Sequence, residues 1–200
     1  MRIHGIARRR LGTDGHGVTD LVAMAGCPLG CEYCLNKRVL AESDAYEVSA
    51  GELLEDVMQE ACYFVATDGG VAFGGGEPLL QWRGIREFAE MRPEWMRLTI
   101  ETSLHVPYEA VLELVPFVDM WLVDIKTLSS ALYASYAHGS LELPFGNLRR
   151  LLAGHADKVR VRVPVIPGYK DKDIAEWEAK ALLLWMGARD TEVFDYVIRD

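Results

Sequence analysis

Residues 25–36 read AGCPLGCEYCLN and place Cys27, Cys31 and Cys34, three of the chain's four cysteines, within eight residues. The spacing is C-x3-C-x2-C. A disulfide between cysteines so close would be strained. Cys31 and Cys34 alone would make a Cys-x-x-Cys redox pair, which leaves Cys27 without a role. Structural zinc usually takes four closed ligands. Thiolates are the normal ligands of iron–sulfur clusters, and three of them on a four-iron cluster leave one iron open. An open position is what catalytic metal sites keep. Of these alternatives only the last uses all three thiols and gives a reason for the missing fourth. Gly26 and Gly30 let the backbone wrap closely, and Pro28 stiffens it. Cys62 stands beside Ala61 on a helical pattern and is expected as a buried core thiol.

The loop directly follows a short apolar run at 19–25. Similar runs recur at 70–73, 97–101, 119–125, 159–165 and 192–197. They are partly β-branched and bounded by Gly, Pro or charge, which predicts buried strands. Helical patterns lie between them at 49–67, 82–91, 107–115, 129–138, 144–153 and 173–186. In the first, Ser49 and Glu52 form a capping box, and Leu54, Val57, Met58, Ala61 and Val65 keep helical spacing. Strand–helix alternation predicts a parallel sheet with right-handed crossovers. A closed eight-stranded barrel takes about 250 residues. The 200 residues here predict a partial six-stranded (β/α)6 parallel barrel, one domain over 1–200. Ligands are then expected at the carboxyl ends of the strands, where the cysteine loop lies.

Half of the residues are hydrophobic and the formal net charge is −9, which argues against a nucleic-acid partner. Arg8, Arg9 and Arg10 form the one basic run. It is expected as a solvated face, the alternative being a docking contact for an acidic partner. The sequence after it lacks the apolar stretch of a signal peptide, and no run approaches the ~18 apolar residues of a membrane span. The expectation is a cytoplasmic protein without a membrane partner, its thiols reduced.

Four further motifs extend the pattern. "TDGHGV" (13–18) precedes the cysteine loop, "GGVAFGGGEPLLQ" (69–81) ends the second strand, and "WLVDIK" (121–126) and "VRVPVIPGY" (161–169) match two later strands. With the cysteine loop they resemble the radical S-adenosylmethionine superfamily, in order and over nearly the whole chain. Within it they resemble the activating enzymes of glycyl radical enzymes, of the pyruvate formate-lyase activating type. The resemblance implies the radical SAM type of partial barrel. It implies a [4Fe–4S] cluster on Cys27, Cys31 and Cys34, with S-adenosylmethionine chelated to the open iron. One electron would then cleave its carbon–sulfur bond, and the 5′-deoxyadenosyl radical would abstract hydrogen from a glycine of a partner enzyme. No side chain need act as acid or base. A flavodoxin or ferredoxin-type reductant and a monomeric state are expected.

Residue by residue, the resemblance assigns Asn36, Gly75, Gly76, Glu77, Asp124, Lys126 and Arg162 to the cofactor. Physical reading is compatible. Gly74, Gly75 and Gly76 remove side chains where a backbone nears a ligand, Pro78 stops β pairing, and Glu77 offers a carboxylate to the cofactor's ammonium. Asp124 and Lys126, two apart on a strand, share a face and suit a zwitterionic amino-acid group, the alternative being a surface ion pair. Arg160 and Arg162 also share a face, with Arg162 towards the cofactor or in a salt bridge. Glu101, Thr102 and Asp124 offer oxygens to a monovalent cation. Asp14 and the turn through Gly17 are expected to meet the partner's incoming loop, through a lateral opening that a six-stranded barrel leaves.

The chain also departs from the family pattern. Leu35 stands where histidine is frequent, Thr19 where many members have arginine, and Ser103-Leu104 where Asn-Gly is usual. Val197 replaces an expected cofactor-contacting histidine, and the usual carboxyl tail is not expected. The alternative function is a small-molecule radical enzyme resembling 7-carboxy-7-deazaguanine synthase, which "DIK" and "VPVIPG" fit less well.

Overall fold

The computed structural model describes residues 1–37, 44–166 and 176–196. The six expected strands are β2 (Val18–Met24), β4 (Gly70–Gly75), β5 (Arg97–Thr102), β6 (Met120–Asp124), β7 (Val159–Val165) and β8 (Asp190–Asp195). Two more, β1 (Arg2–Leu11) and β3 (Tyr46–Glu47), were not legible as strands. The sheet order is β3-β1-β2-β4-β5-β6-β7-β8, so it begins and ends on different edge strands and is open. β2 is parallel to β4, β4 to β5 and β7 to β8, while β1 runs antiparallel to β2 and β3. This agrees with a partial barrel extended by a hairpin.

The hairpin explains the arginine run. The β1–β2 register shifts between Ala7 and Arg10, and Arg9 takes a left-handed φ of 52°. A bulge of this kind exposes a backbone N–H, and the Asp20 carboxylate accepts it at 2.8 Å. Arg8 completes the contact, at 3.2 Å from Asp20 and 2.8 Å from Asp56. Burial pushes the Asp20 carboxyl up, against the pull of the Arg9 N–H and the Arg8 guanidinium. Arg9 lies 3.6 Å from Glu60, and Arg10 holds Asp14. Each arginine of the run thus has an acidic partner in the hairpin or beside it, and Arg9 remains exposed as expected of a solvated face.

The helices are α1 (Ala50–Val57), α2 (Ala61–Thr67), α3 (Trp82–Met91), α4 (Tyr108–Leu114), α5 (Ser130–Leu132), α6 (Glu142–His155) and α7 (Glu176–Trp185). The capping box at Ser49 and Glu52 starts α1 as expected. A 3-10 turn, Met58–Glu60, divides the predicted 49–67 helix. Its buried stripe is Ala50, Leu53, Val57 and Phe64, rotated by one residue from the expected one. Phe64 decides this, because the largest apolar side chain gains most from burial. Cys62 is consequently exposed, not a core thiol. The first residues of the predicted 173–186 helix, the end of "VRVPVIPGY" and Val197 lie outside the described residues.

The described chain gathers into two compact units. The first comprises Met1–Cys27, Asn36–Thr102 and Pro107–Trp121. Its core includes Leu53, Phe64, Phe73, Phe88 and Ile100, with Phe73 and Phe88 edge to face at 5.3 Å. The second comprises Pro28–Leu35, Ser103–Val106 and Leu122–Asp200. Tyr133, Tyr136, Leu148, Leu151 and Val161 are fully buried there. No described helix is long and apolar enough to cross a membrane.

Candidate functional site

In the first unit, β2 and β4 run in register to Met24 and Gly75. The Gly76 N–H donates to Met24 O at 3.0 Å and the Glu77 N–H to Gly26 O at 2.8 Å. These bonds fix the point at which the chain leaves β2 for Cys27. A Cβ on Gly76 would stand 2.2 Å from Gly26 O and 2.6 Å from Met24 O. Glycine is needed there for the chain's own backbone, quite apart from any ligand. Gly76→Ala is accordingly expected to lower stability by about 1–3 kcal/mol, as overpacking does. Urea unfolding of the metal-free protein checks it, with Gly146→Ala, whose Cβ would meet nothing within 4 Å, as the harmless control. The Asn36 side-chain amide donates to Gly75 O at 3.0 Å, tying the residue after the cysteine loop to the glycine motif.

Glu77 is 1% exposed. Its carboxylate accepts from the Thr102 hydroxyl at 2.6 Å and from the Leu79 N–H at 3.3 Å, capping the turn Pro78–Gln81. It is thus neither a solvated glutamate nor an unengaged one. Asp14, expected to meet a partner, is 3% exposed, and its carboxylate is held by Arg10 and by the Thr13 hydroxyl at 2.8 Å. A carboxylate matched in this way anchors the turn. The accessible groups there are Thr13 and His16.

In the second unit, Cys31 and Cys34 flank a tight turn, with the Cys34 N–H donating to Cys31 O at 3.1 Å. The loop rests on the residues that continue α5 as a π-helical turn, Tyr133–Ala137. The Gly30 N–H donates to Ala137 O and the Glu32 N–H to Tyr136 O, at 3.2 and 2.9 Å. Single π turns recur at functional sites. Tyr33, between the two cysteines, packs edge to face on Tyr136 and on Tyr196, at 5.2 and 5.1 Å. This tyrosine cage is the part of the site that sequence reasoning missed. Tyr33 lay inside the quoted loop, but nothing in its spacing pointed to Tyr136 or Tyr196.

The same unit joins three predicted cofactor residues. Asp124 Oδ1 accepts from Arg162 Nε at 2.7 Å, and Oδ2 accepts from Lys126 Nζ at 3.1 Å. The side chains of Asp124, Lys126 and Arg162 are 21, 19 and 14% exposed. The alternative of an exposed surface pair is thus excluded for Asp124 and Lys126, and Arg162 forms the salt bridge. Burial would raise the Asp124 carboxyl, but Lys126 and Arg162 outweigh it and hold the group below its ordinary range. Burial likewise opposes the Lys126 charge, but Asp124 and then Cys31 raise it. Burial pushes the Cys31 thiol up, against the pull of Lys126. Two cations and one anion leave one formal positive charge beside a thiol. Arg160 pairs with Asp190 at 2.8 Å, away from this network. Ser103-Leu104 follow β5. Leu104 is fully buried at a left-handed φ of 55°, and Asn147 donates to Leu104 O and Val106 O at 2.9 and 2.7 Å.

Among the described residues, no three His, Cys, Asp or Glu side chains are gathered closely enough to hold a metal ion. The fit to an iron–sulfur cluster rests on the donor set: Cys27, Cys31 and Cys34 stand outside any disulfide, partly exposed, on one short loop. Three soft sulfur donors suit iron.

A family model described as "Radical SAM superfamily" matches residues 21–180. The chain is 31% identical over 157 residues to a (2S)-3-sulfopropanediol dehydratase activating enzyme of Klebsiella oxytoca, covering 76% of this chain and 49% of that protein. It is 29% identical over 167 residues to a pyruvate formate-lyase 1-activating enzyme of Escherichia coli, covering 80% and 66%. A pyruvate formate-lyase-activating enzyme of Staphylococcus aureus is 31% identical over 170 residues, covering 80% and 67%. The chain thus spans about half to two thirds of the length of these curated relatives. Among solved structures, Streptococcus suis SuiB superposes with a TM-score of 0.66 at 15% identity, over 88% of this chain and 39% of that one. That likeness concerns the fold alone.

Proposed function

Because the chain belongs to the radical S-adenosylmethionine superfamily, we propose that it is an activating enzyme, installing a radical on a glycine of a partner glycyl radical enzyme. Cys27, Cys31 and Cys34 hold the [4Fe–4S] cluster in this reading. When bound, cluster and S-adenosylmethionine supply one-electron cleavage of a carbon–sulfur bond and hydrogen abstraction from a glycine α-carbon. The protein supplies positioning and charge. Lys126 and Arg162 exceed Asp124 by one positive charge and receive the carboxylate of the methionyl group. Asp124 faces its ammonium, while Glu77 caps the turn after the glycine motif. Gly75 and Gly76 offer backbone without side chains, and Asn36 fixes the Gly75 carbonyl.

For a monovalent cation, Glu101 and Thr102 offer oxygens at the end of β5, whereas both carboxylate oxygens of Asp124, the third expected ligand, are engaged by Arg162 and Lys126. Asp14 serves the partner indirectly, by shaping the turn before Val18. The family match spans both compact units, which supports reading 1–200 as one domain. A flavodoxin or ferredoxin-type reductant, a monomeric state and a cytoplasmic location complete the proposal. The names of the relatives support the partner class.

The observation that carries this reading is the loop of three thiols, Cys27, Cys31 and Cys34, in a chain that the family model matches over residues 21–180. Anaerobic reconstitution tests it. The expected result is a brown protein with about four iron and four sulfide per chain, which cleaves S-adenosylmethionine when reduced. Failure to retain iron, or retention of zinc in its place, would overturn it.

A further inference from the structure

We infer that Tyr196 is the positioning residue of the third cysteine, holding the peptide carbonyl that precedes Cys34. The inference rests on the cluster reading above. Tyr196 follows β8, 162 positions after Cys34, and no motif singled it out. Its hydroxyl donates to Tyr33 O at 2.9 Å. The Tyr196 ring packs edge to face on Tyr33 at 5.1 Å and so holds the hydroxyl in place. Tyr33 is in turn backed by Tyr136, whose hydroxyl donates to Lys126 O at 2.7 Å.

A side chain bound to the peptide carbonyl that precedes a ligand limits the backbone conformations that the ligand can adopt. That is how outer groups orient metal ligands, and their loss typically weakens metal binding about 10–100-fold. Tyr33 and Tyr136 stabilise the loop from within. Tyr196 is the contact made from a distant strand, so it couples the last part of the sheet to the cysteine turn.

Tyr196→Phe keeps the ring and removes the hydrogen bond to Tyr33 O. The variant and wild type are reconstituted anaerobically, and cluster loss to an excess iron chelator is followed by absorbance. The expected result is equal initial iron with release about tenfold faster in Tyr196→Phe, and a near-wild-type rate in the control Tyr63→Phe, at an exposed tyrosine of α2. Equal release from wild type and folded Tyr196→Phe would overturn the inference. A second measurement needs no metal: hydrogen exchange of metal-free wild type and Tyr196→Phe. Faster exchange of the Cys34 amide, which bonds Cys31 O at 3.1 Å, is expected in Tyr196→Phe, and equal exchange in the two would overturn the inference. If the wild type binds no iron, the cluster reading fails. The exchange result still decides whether Tyr196 holds the turn.

Discussion

Alanine at Cys27, Cys31 or Cys34 is expected to abolish cluster retention and cleavage of S-adenosylmethionine, whereas alanine at Cys62 leaves both at wild-type level. The three thiols of the loop stand outside any disulfide and are partly exposed, and Cys62 lies on the outer face of α2, outside the loop. A three-ligand cluster has no spare protein ligand, so losing one thiolate leaves two, too few to hold four iron atoms. Iron and sulfide counts after anaerobic reconstitution, with secondary structure checked by circular dichroism, measure this. Equal iron loss from Cys62→Ala with the fold intact would reassign the ligand set. Full iron retention in any of the three loop variants would do the same.

The second large effect concerns Asp124. Asp124→Asn is expected to lower the stability of the metal-free protein by about 1.5–3 kcal/mol, the range for hydrogen bonds to charged groups. It leaves Lys126 and Arg162 facing one another without their shared anion. The pH dependence has a definite sign. The folded-state carboxyl lies below its ordinary value, so the unfolded chain takes up the proton first on acidification. Asp124 therefore contributes its full stability above about pH 4, the ordinary carboxyl range, and loses it progressively as the pH falls through the folded value. The difference between wild type and Asp124→Asn should be constant near neutrality and shrink in acid. Urea unfolding at a series of pH values measures it, and a difference that grows on acidification would contradict the assignment. In the reconstituted enzyme, Asp124→Asn and Lys126→Met should each weaken S-adenosylmethionine binding about 10–100-fold without loss of iron, by the same 1.5–3 kcal/mol. Unchanged affinity in both would remove the pair from the cofactor site.

What the sequence made legible follows the strength of each local signal. Buried parallel strands are near-continuous apolar runs, and β2, β4, β5, β6 and β7 were found within a few residues. β1 was missed because it is half exposed and carries Arg8, Arg9 and Arg10, whose partners Asp20, Asp56, Glu60 and Asp14 are visible only after folding. The helix at 49–67 was found by its cap, but its buried face was misassigned by one residue. Stripes from neighbouring starting points overlap, and only packing decided for Phe64. The Asp124–Lys126 pair was legible because period two puts both on one strand face. The addition of Arg162 to the same carboxylate comes from strand order. Leu104 shows the opposite case: it stands where the family usually has glycine, keeps the left-handed backbone that glycine favours, and is offset by full burial and two bonds from Asn147. The tyrosine cage was illegible because Tyr136 and Tyr196 reach Tyr33 only through tertiary structure.

The central claim is that this chain makes a radical for a protein glycine. The most direct test is an anaerobic mixture of reduced, reconstituted enzyme, S-adenosylmethionine and a purified glycyl radical enzyme, examined by electron paramagnetic resonance. The account predicts a doublet that grows with enzyme and cofactor and disappears when the target glycine is replaced by alanine. Formation of 5′-deoxyadenosine that depends on a small molecule, with no protein radical on the partner, would contradict it.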